Sequence, residues 1–177
     1  MKRALLLDRD GVINEERGYV WQPEAFIIQP EAVALVKAAY AAGWGVAIIT
    51  NQGGIARGLY TEAQLDALHR YLASHFERAG VQMPFIYYCP HHPEEAGHYG
   101  GHCLCRKPQP LLFERALARL GASPHGNYMV GDRDRDLQPA CAMGMTTVMV
   151  GDAPTTHAHL QLPTMAQVLA HFVDNIF

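Results

Sequence analysis

Nowhere does the sequence stay apolar for the roughly 20 residues that a membrane crossing needs. The apolar segment Ala4 to Leu7, behind the basic Met1 to Arg3, is too short for a signal peptide and ends on charged Asp8. One-sided charge is missing too: 14 Lys and Arg stand against 17 Asp and Glu, for a formal net charge of -3. The basic residues are scattered, so neither a long nucleic-acid groove nor a basic aromatic face is expected, because such surfaces neutralise many phosphates at once. A small anionic substrate remains compatible. Cysteine is scarce, with four residues in all. Cys89, Cys103 and Cys105 crowd one segment, while Cys141 lies alone in a helical pattern as a small core residue. That distribution suits metal ligation in a reducing cytoplasm and not a disulfide framework. Repeats, linkers and low-complexity stretches are absent, so the 177 residues read as one domain over 1–177. A chain of this size buries roughly 70% of its unfolded surface and needs no metal merely to hold a core.

What is present is an alternation of short apolar runs with longer helical patterns, the signature of a parallel α/β sheet covered by helices on both faces. Strands are expected at Ala4 to Leu7, Val46 to Thr50, Phe85 to Tyr88, Tyr128 to Val130 and Thr146 to Val150. Helices are expected at Glu31 to Ala42, Thr61 to Ala79, Pro110 to Leu120, Asp136 to Met143 and Met165 to Phe177. Thr61 with Gln64, and Thr164 with Gln167, read as capping boxes; Pro139 is expected in a first helical turn. Two stretches lack either period, Gly11 to Gln29 and Pro90 to Lys107. Both follow strand ends, the edge where open α/β sheets bind ligands.

The first strand ends in Leu7-Asp8-Arg9-Asp10-Gly11, aiming two carboxylates at one point, with Gly11 allowing a sharp exit. A second acidic strand end follows Val130, in Gly131-Asp132-Arg133-Asp134-Arg135-Asp136. If the two strands are neighbours, the carboxylates repel one another unless a hard cation such as Mg²⁺ lies among them. With a phosphoryl group at that cation, Asp8 can attack phosphorus while Asp10 protonates the leaving oxygen and then activates water. Thr50-Asn51-Gln52-Gly53 offers a hydroxyl and loop amides to the phosphoryl oxygens, and Lys107 adds a positive charge. An isolated Asp-x-Asp-Gly is commonly a solvated turn; four such fragments in order carry more weight. The loop after the third strand adds Cys89-Pro90-His91 and, eleven residues later, Cys103-Leu104-Cys105. Three thiolates and an imidazole make a closed tetrahedral set for structural zinc over about residues 89–107. His92, His98 and His102 compete with His91 for the fourth position.

Asp8-x-Asp10-Gly11, Thr50-Asn51, Lys107 and Gly131-Asp132-x-x-x-Asp136 resemble, in order and over essentially the whole chain, the four motifs of the haloacid dehalogenase phosphatase superfamily. The resemblance implies a Rossmann-like fold without a separate cap domain. It implies Asp8 as nucleophile, Asp10 as general acid and base, and Thr50 and Lys107 on the phosphoryl group. Mg²⁺ would be held by the carboxylates of Asp8 and Asp132 and the backbone carbonyl of Asp10, with Asp136 just behind. The same pattern favours His91 as the imidazole of the Zn²⁺ site. The zinc hooks and missing cap look like the branch that hydrolyses histidinol phosphate or a D-glycero-D-manno-heptose 1,7-bisphosphate. Arg17-Gly18-Tyr19-Val20 and Thr50 to Gly58 resemble its heptose members. That likeness implies a small phosphorylated sugar losing its 7-phosphate on the way to the nucleotide-activated heptose of lipopolysaccharide, with histidinol phosphate as the alternative. Glu16, Arg17, Gly18 and Tyr19 would line the sugar, Asn51, Gln52 and Gly53 the phosphoryl group, and Arg106 and Arg133 would contact substrate. The anomer at C1 is left open; a monomer with no nucleic-acid or membrane partner is expected. Gly53 where Ser is common, Arg133 where Lys is common and Pro110-Leu111 for Pro-Gly depart from the pattern without removing a catalytic group.

Overall fold

A computed structural model describes residues 2–177. Six strands form one parallel sheet: β1 (Ala4–Leu7), β2 (Gly45–Asn51), β3 (Phe85–Cys89), β4 (Tyr128–Gly131), β5 (Thr146–Val150) and β6 (Leu160–Leu162). Their order is β3-β2-β1-β4-β5-β6, and every pairing is parallel. The helices are α1 (Pro30–Ala41), α2 (Glu62–Arg78), α3 (Leu111–Leu120), α4 (Asp134–Ala142) and α5 (Met165–Asn175).

Strand period two sorts the core. Leu5, Leu7, Val46 and Ile48 face one layer, where Leu35 and Val36 of α1, Leu72 and Phe76 of α2 and Phe172 of α5 cover them. Ala4, Leu6, Ala47 and Ile49 face the other, against Phe113 and Leu117 of α3 and Leu137 of α4. Buried on both faces, β1 has no room for a polar residue until it leaves the sheet at Asp8. The chain goes to β2 on one side of β1 and to β4 on the other, so the crevice at their carboxyl ends is a topological switch point.

Five strands and five helices lie where the periodicity predicts, within two residues at each end. The Thr61/Gln64 box is complete, with Gln64 N donating to Thr61 Oγ1 and Thr61 N to Gln64 Oε1; at Thr164 the hydroxyl accepts from Gln167 N at 3.3 Å. Three features differ from expectation. β6 is an added edge strand of three residues, too short to leave a period. β3, the other edge, is only partly buried, with Phe85 exposed. α4 starts at Asp134, two residues early, which puts Pro139 inside the helix and past its first turn. The early start follows from Asp136, whose Oδ2 accepts from Arg133 N at 3.0 Å while its own N donates to Arg133 O at 2.9 Å. In so short a helix Pro139 removes only the bond to the Arg135 carbonyl. Among the described residues, no helix is long and apolar enough to cross a membrane.

Candidate active site

The floor of the crevice is built from β1 and β4. Asp8 N donates to Val130 O at 2.9 Å, carrying the β1–β4 pairing one residue past the strand, which lays Asp8 beside the segment that carries Asp132. Buried Lys107 reaches between the two strand ends. Its ammonium donates to Asp8 Oδ1 at 2.8 Å and to Ile49 O at 2.9 Å, and lies 2.8 Å from Asp136 Oδ1 as an ion pair. Asp8, Asp132 and Asp136 each bring an oxygen within 4.8 Å of the others. One lysine does not balance three carboxylates. Burial and then Asp136 hold the Asp8 carboxyl well above its usual range, against the pull of Lys107. Burial, again followed by Asp136, pushes Asp132 up to about 6. A site of clustered oxygens with surplus negative charge fits a hard divalent cation.

Gly11 makes this approach possible. Its φ is +85°, and a Cβ there would overlap the Asp132 carboxylate. Gly11→Ala is expected to destabilise the protein by about 1–3 kcal/mol and to weaken its thermal response to Mg²⁺; unchanged melting with and without the metal would contradict this.

Asp10 is held apart from the cluster. Arg9 Nη2 donates to both its oxygens, at 2.8 and 2.9 Å; Asn14 Nδ2 donates to Oδ1 at 3.0 Å and Gln52 Nε2 to Oδ2 at 2.9 Å. Arg9 is itself almost fully buried, over the Phe26 ring at 5.4 Å and 3.4 Å from His69 Nε2. Burial, with Arg9 adding to it, lowers His69 to about 3, so its ring is neutral and accepts. Gln52 is fixed in turn by Tyr60, whose hydroxyl donates to Oε1 at 2.6 Å.

At the end of β2, Thr50 Oγ1 accepts from Gln52 Nε2 at 2.8 Å, which leaves the hydroxyl proton available to a ligand. Asn51 clasps the Lys107 backbone, accepting from its N at 2.9 Å and donating to its O at 3.0 Å. Over this floor lies a cavity of about 240 Å³, lined by Asp8, Asp10, Thr50, Gln52, Lys107 and Arg106 among others. Gly53 lets the rim close: a Cβ there would sit 3.0 Å from Arg106 Nη1 and from His92 Cδ2.

Beside the cavity, Cys89, His91, Cys103 and Cys105 bring one ligand atom each within 4.8 Å of the others. Sγ of Cys105 lies 3.0 Å from that of Cys89 and 3.5 Å from those of Cys103 and His91 Nδ1; Cys89 Sγ lies 3.5 Å from Cys103 Sγ and 3.7 Å from His91 Nδ1. Four thiol and imidazole atoms this close, with no disulfide among them, fit a tetrahedral zinc site, whose ligand atoms stand roughly 3.5–3.8 Å apart. His91 O also accepts from Arg106 Nη1 at 3.0 Å, tying the hook to the cavity wall.

Of the residues predicted from sequence, Asp8, Asp10, Glu16, Gly18, Tyr19, Thr50, Asn51, Gln52, Gly53, Arg106 and Lys107 share the cavity. Asp132 and Asp136 close the carboxylate cluster beneath it. Arg17 and Arg133 are not on the wall: Arg17 pairs with Glu15 at 3.0 Å, and Arg133 lies exposed 3.4 Å from Asp132 Oδ2. Arg9, Asn14, Tyr60 and Arg135 take part with no role expected of them from sequence, and His92, a competitor for the zinc site, lies on the cavity wall instead. Arg9 had a signal in its position between the two aspartates; the others had none at short range.

The HAD-hydrolase-like family model matches residues 104–176. The chain is 37% identical to the D-glycero-beta-D-manno-heptose-1,7-bisphosphate 7-phosphatase of Haemophilus ducreyi, over 99% of this chain and 98% of that protein. It is 40% identical to the protein of the same name from Helicobacter pylori, over 76% and 75% of the two chains. Among solved structures, the D,D-heptose 1,7-bisphosphate phosphatase of B. bronchiseptica, complexed with magnesium and phosphate, superposes with a TM-score of 0.83 at 29% identity, covering 97% of this chain and 98% of that one. A likeness that runs nearly end to end, joined to the four motif fragments meeting at one crevice, makes this chain a member of the heptose 1,7-bisphosphate 7-phosphatase family of haloacid dehalogenase-like hydrolases.

Proposed function

We propose that the protein is a phosphoric monoester hydrolase that removes the 7-phosphate of D-glycero-β-D-manno-heptose 1,7-bisphosphate, leaving heptose 1-phosphate for the synthesis of nucleotide-activated heptose. The observation that carries the chemistry is Asp8, buried at the cavity floor with Lys107 at 2.8 Å and Asp132 and Asp136 within reach. The substrate follows from the names of the relatives, which also supply the β anomer that the motifs leave open.

Asp8 attacks phosphorus in line and becomes the aspartyl phosphate as the sugar oxygen leaves. Asp10 gives that oxygen its proton, then takes one from the water that cleaves the acyl phosphate. Its carboxyl group already lines the cavity, where Arg9, Asn14 and Gln52 fix its orientation. Thr50 donates its free proton to a phosphoryl oxygen, and Lys107 neutralises charge on the transferring group. Asp8, Asp132 and the Asp10 carbonyl would hold Mg²⁺, which would supply the positive charge that lets anionic nucleophile and anionic phosphate meet. The Asp10 carboxylate is fully engaged elsewhere, which leaves its backbone as the part suited to the metal. Cys89, His91, Cys103 and Cys105 would hold Zn²⁺ in a structural role, since four protein ligands would leave no position open for catalysis.

The raised Asp132 pKa sets a pH dependence. Its charged form is disfavoured by folding, so in metal-free protein this group's contribution to stability falls as pH rises from its ordinary value of 3.8 through about 6. Mg²⁺ favours the charged form and reverses that. Saturating Mg²⁺, worth about 2.7 kcal/mol at a hundredfold excess over Kd, is expected to raise Tm more at about pH 7.5 than at about pH 5. An equal or larger shift at the lower pH would contradict it.

The substrate reading is tested by phosphate release from the α and β anomers of heptose 1,7-bisphosphate and from histidinol phosphate. Preference for the β anomer is the expected result. Turnover of histidinol phosphate alone would keep the chemistry and overturn the substrate.

A further inference from the structure

The cations around the cavity separate by partner. Lys107 lies between Asp8 and Asp136, Arg9 grips Asp10, Arg133 faces Asp132, Arg17 faces Glu15 and Arg57 faces Glu94 and Glu95. Arg106 and Arg135 line the cavity as well, and among the described residues neither has a carboxylate at ion-pairing distance. Arg106 donates only to the His91 carbonyl. The acids flanking Arg135 in sequence are turned away from it. Asp134 accepts from Thr155, Thr156 N and His157, and Asp136 is held by Lys107 and Arg133 N.

Two like charges therefore share one wall with no carboxylate at ion-pairing distance from either. Two guanidinia on one wall repel each other unless an anion lies between them. His92, next to them, is engaged on both ring nitrogens: Nδ1 accepts from Glu94 N at 3.4 Å and Nε2 lies 3.2 Å from Arg57 Nη2. An anion between the two guanidinia would remove the repulsion, and a phosphate matches their forked donors. It is not the reacting phosphate, which belongs at Asp8, Thr50 and Lys107 on the floor.

We propose that Arg135 and Arg106 together hold the non-reacting phosphate of a sugar bisphosphate, with Arg135 setting the preference for bisphosphates over monophosphates. This rests on the bisphosphate reading above. It assigns to Arg135 the contact that the sequence pattern suggested for Arg133. Arg135 is exposed in the first turn of α4, where alanine is a good helix former, so its replacement leaves the fold intact.

The test compares kcat/KM for heptose 1,7-bisphosphate with that for heptose 7-phosphate in the parent protein, Arg135→Ala and Arg135→Lys. The parent is expected to favour the bisphosphate. Arg135→Ala should lower that preference by about 10- to 100-fold, the scale of a lost charge-assisted bond, with the loss in KM. Arg135→Lys, which keeps the charge but not the fork, should fall between. An unchanged preference in Arg135→Ala, or equal losses on both substrates, would overturn the role of Arg135 alone. A parent that turns over both substrates equally would do the same. A parent inactive on the bisphosphate would overturn the functional reading and this proposal with it.

Discussion

Asp8→Asn is expected to lower phosphate release by on the order of 10⁴-fold or more, since an amide cannot form the acyl phosphate, while leaving the protein at least as stable as the parent. The two effects have one cause. Burial and the neighbouring Asp136 hold the Asp8 carboxyl above its usual range despite the lysine 2.8 Å away, so the charged form is disfavoured by the fold at neutral pH. A raised carboxylate pKa means that the group opposes folding above that pKa and ceases to do so below its unfolded value. Asn removes the charge and keeps the shape. Arg9 N, which donates to Asp8 Oδ1 at 2.7 Å, finds an amide oxygen in its place, and Lys107 retains Asp136 and the Ile49 carbonyl. Steady-state release by the Mg²⁺-loaded protein and thermal melting of the same preparation without metal check the two halves. A variant that loses activity by unfolding would contradict the assignment of Asp8 as a strained, functional group.

Cys105→Ser is expected to damage both stability and turnover, although Cys105 touches no substrate. Structural zinc is worth about 10–16 kcal/mol in small peptides, against about 5–15 kcal/mol for the whole stability of a typical domain. A zinc ion held by Cys89, His91, Cys103 and Cys105 would therefore dominate the order of residues 89–107. Arg106 and Lys107 follow Cys105 directly, and Arg106 is held by the carbonyl of His91. With the hook open, the Asn51 clasp, the Ile49 carbonyl and the ion pairs of Lys107 are left to hold the lysine over Asp8. Turnover should fall at least tenfold, and proteolysis should begin within residues 90–107 before the sheet opens. Metal analysis should find less than one zinc per chain. Full activity with zinc absent would sever the loop from the catalytic floor.

Much of this was legible in the chain. Each acidic or hydroxyl-bearing strand end is preceded by a run apolar on both faces, so Asp8, Thr50 and Asp132 mark the points where β1, β2 and β4 leave the core. Their meeting required only that the strands be neighbours. The residues that escaped notice act at a distance in sequence or against local period. Arg9 should point away from Asp8 and Asp10 on an extended strand; instead the chain turns at once, with Ile13 N and Asn14 N donating to Arg9 O, and its side chain passes beneath Asp10. Tyr60 reaches the site only through Gln52. Arg133 and Arg135 are two residues apart, and their difference depends on where α4 begins. The expected start at Asp136 left both in a loop; the observed start at Asp134 puts Arg135 on the cavity wall and Arg133 beside Asp132. β6, at three residues, carries no period at all.

The central claim is that Asp8 itself carries the phosphoryl group during turnover. Acid quenching of the Mg²⁺-loaded protein in mid-reaction with heptose 1,7-bisphosphate, followed by peptide mass mapping, tests it directly. One added phosphoryl group is expected on the peptide containing Asp8, absent in Asp8→Asn and lost on brief treatment with base. A phosphoryl group on another residue, or its absence from the parent under conditions that slow the hydrolytic step, would contradict it.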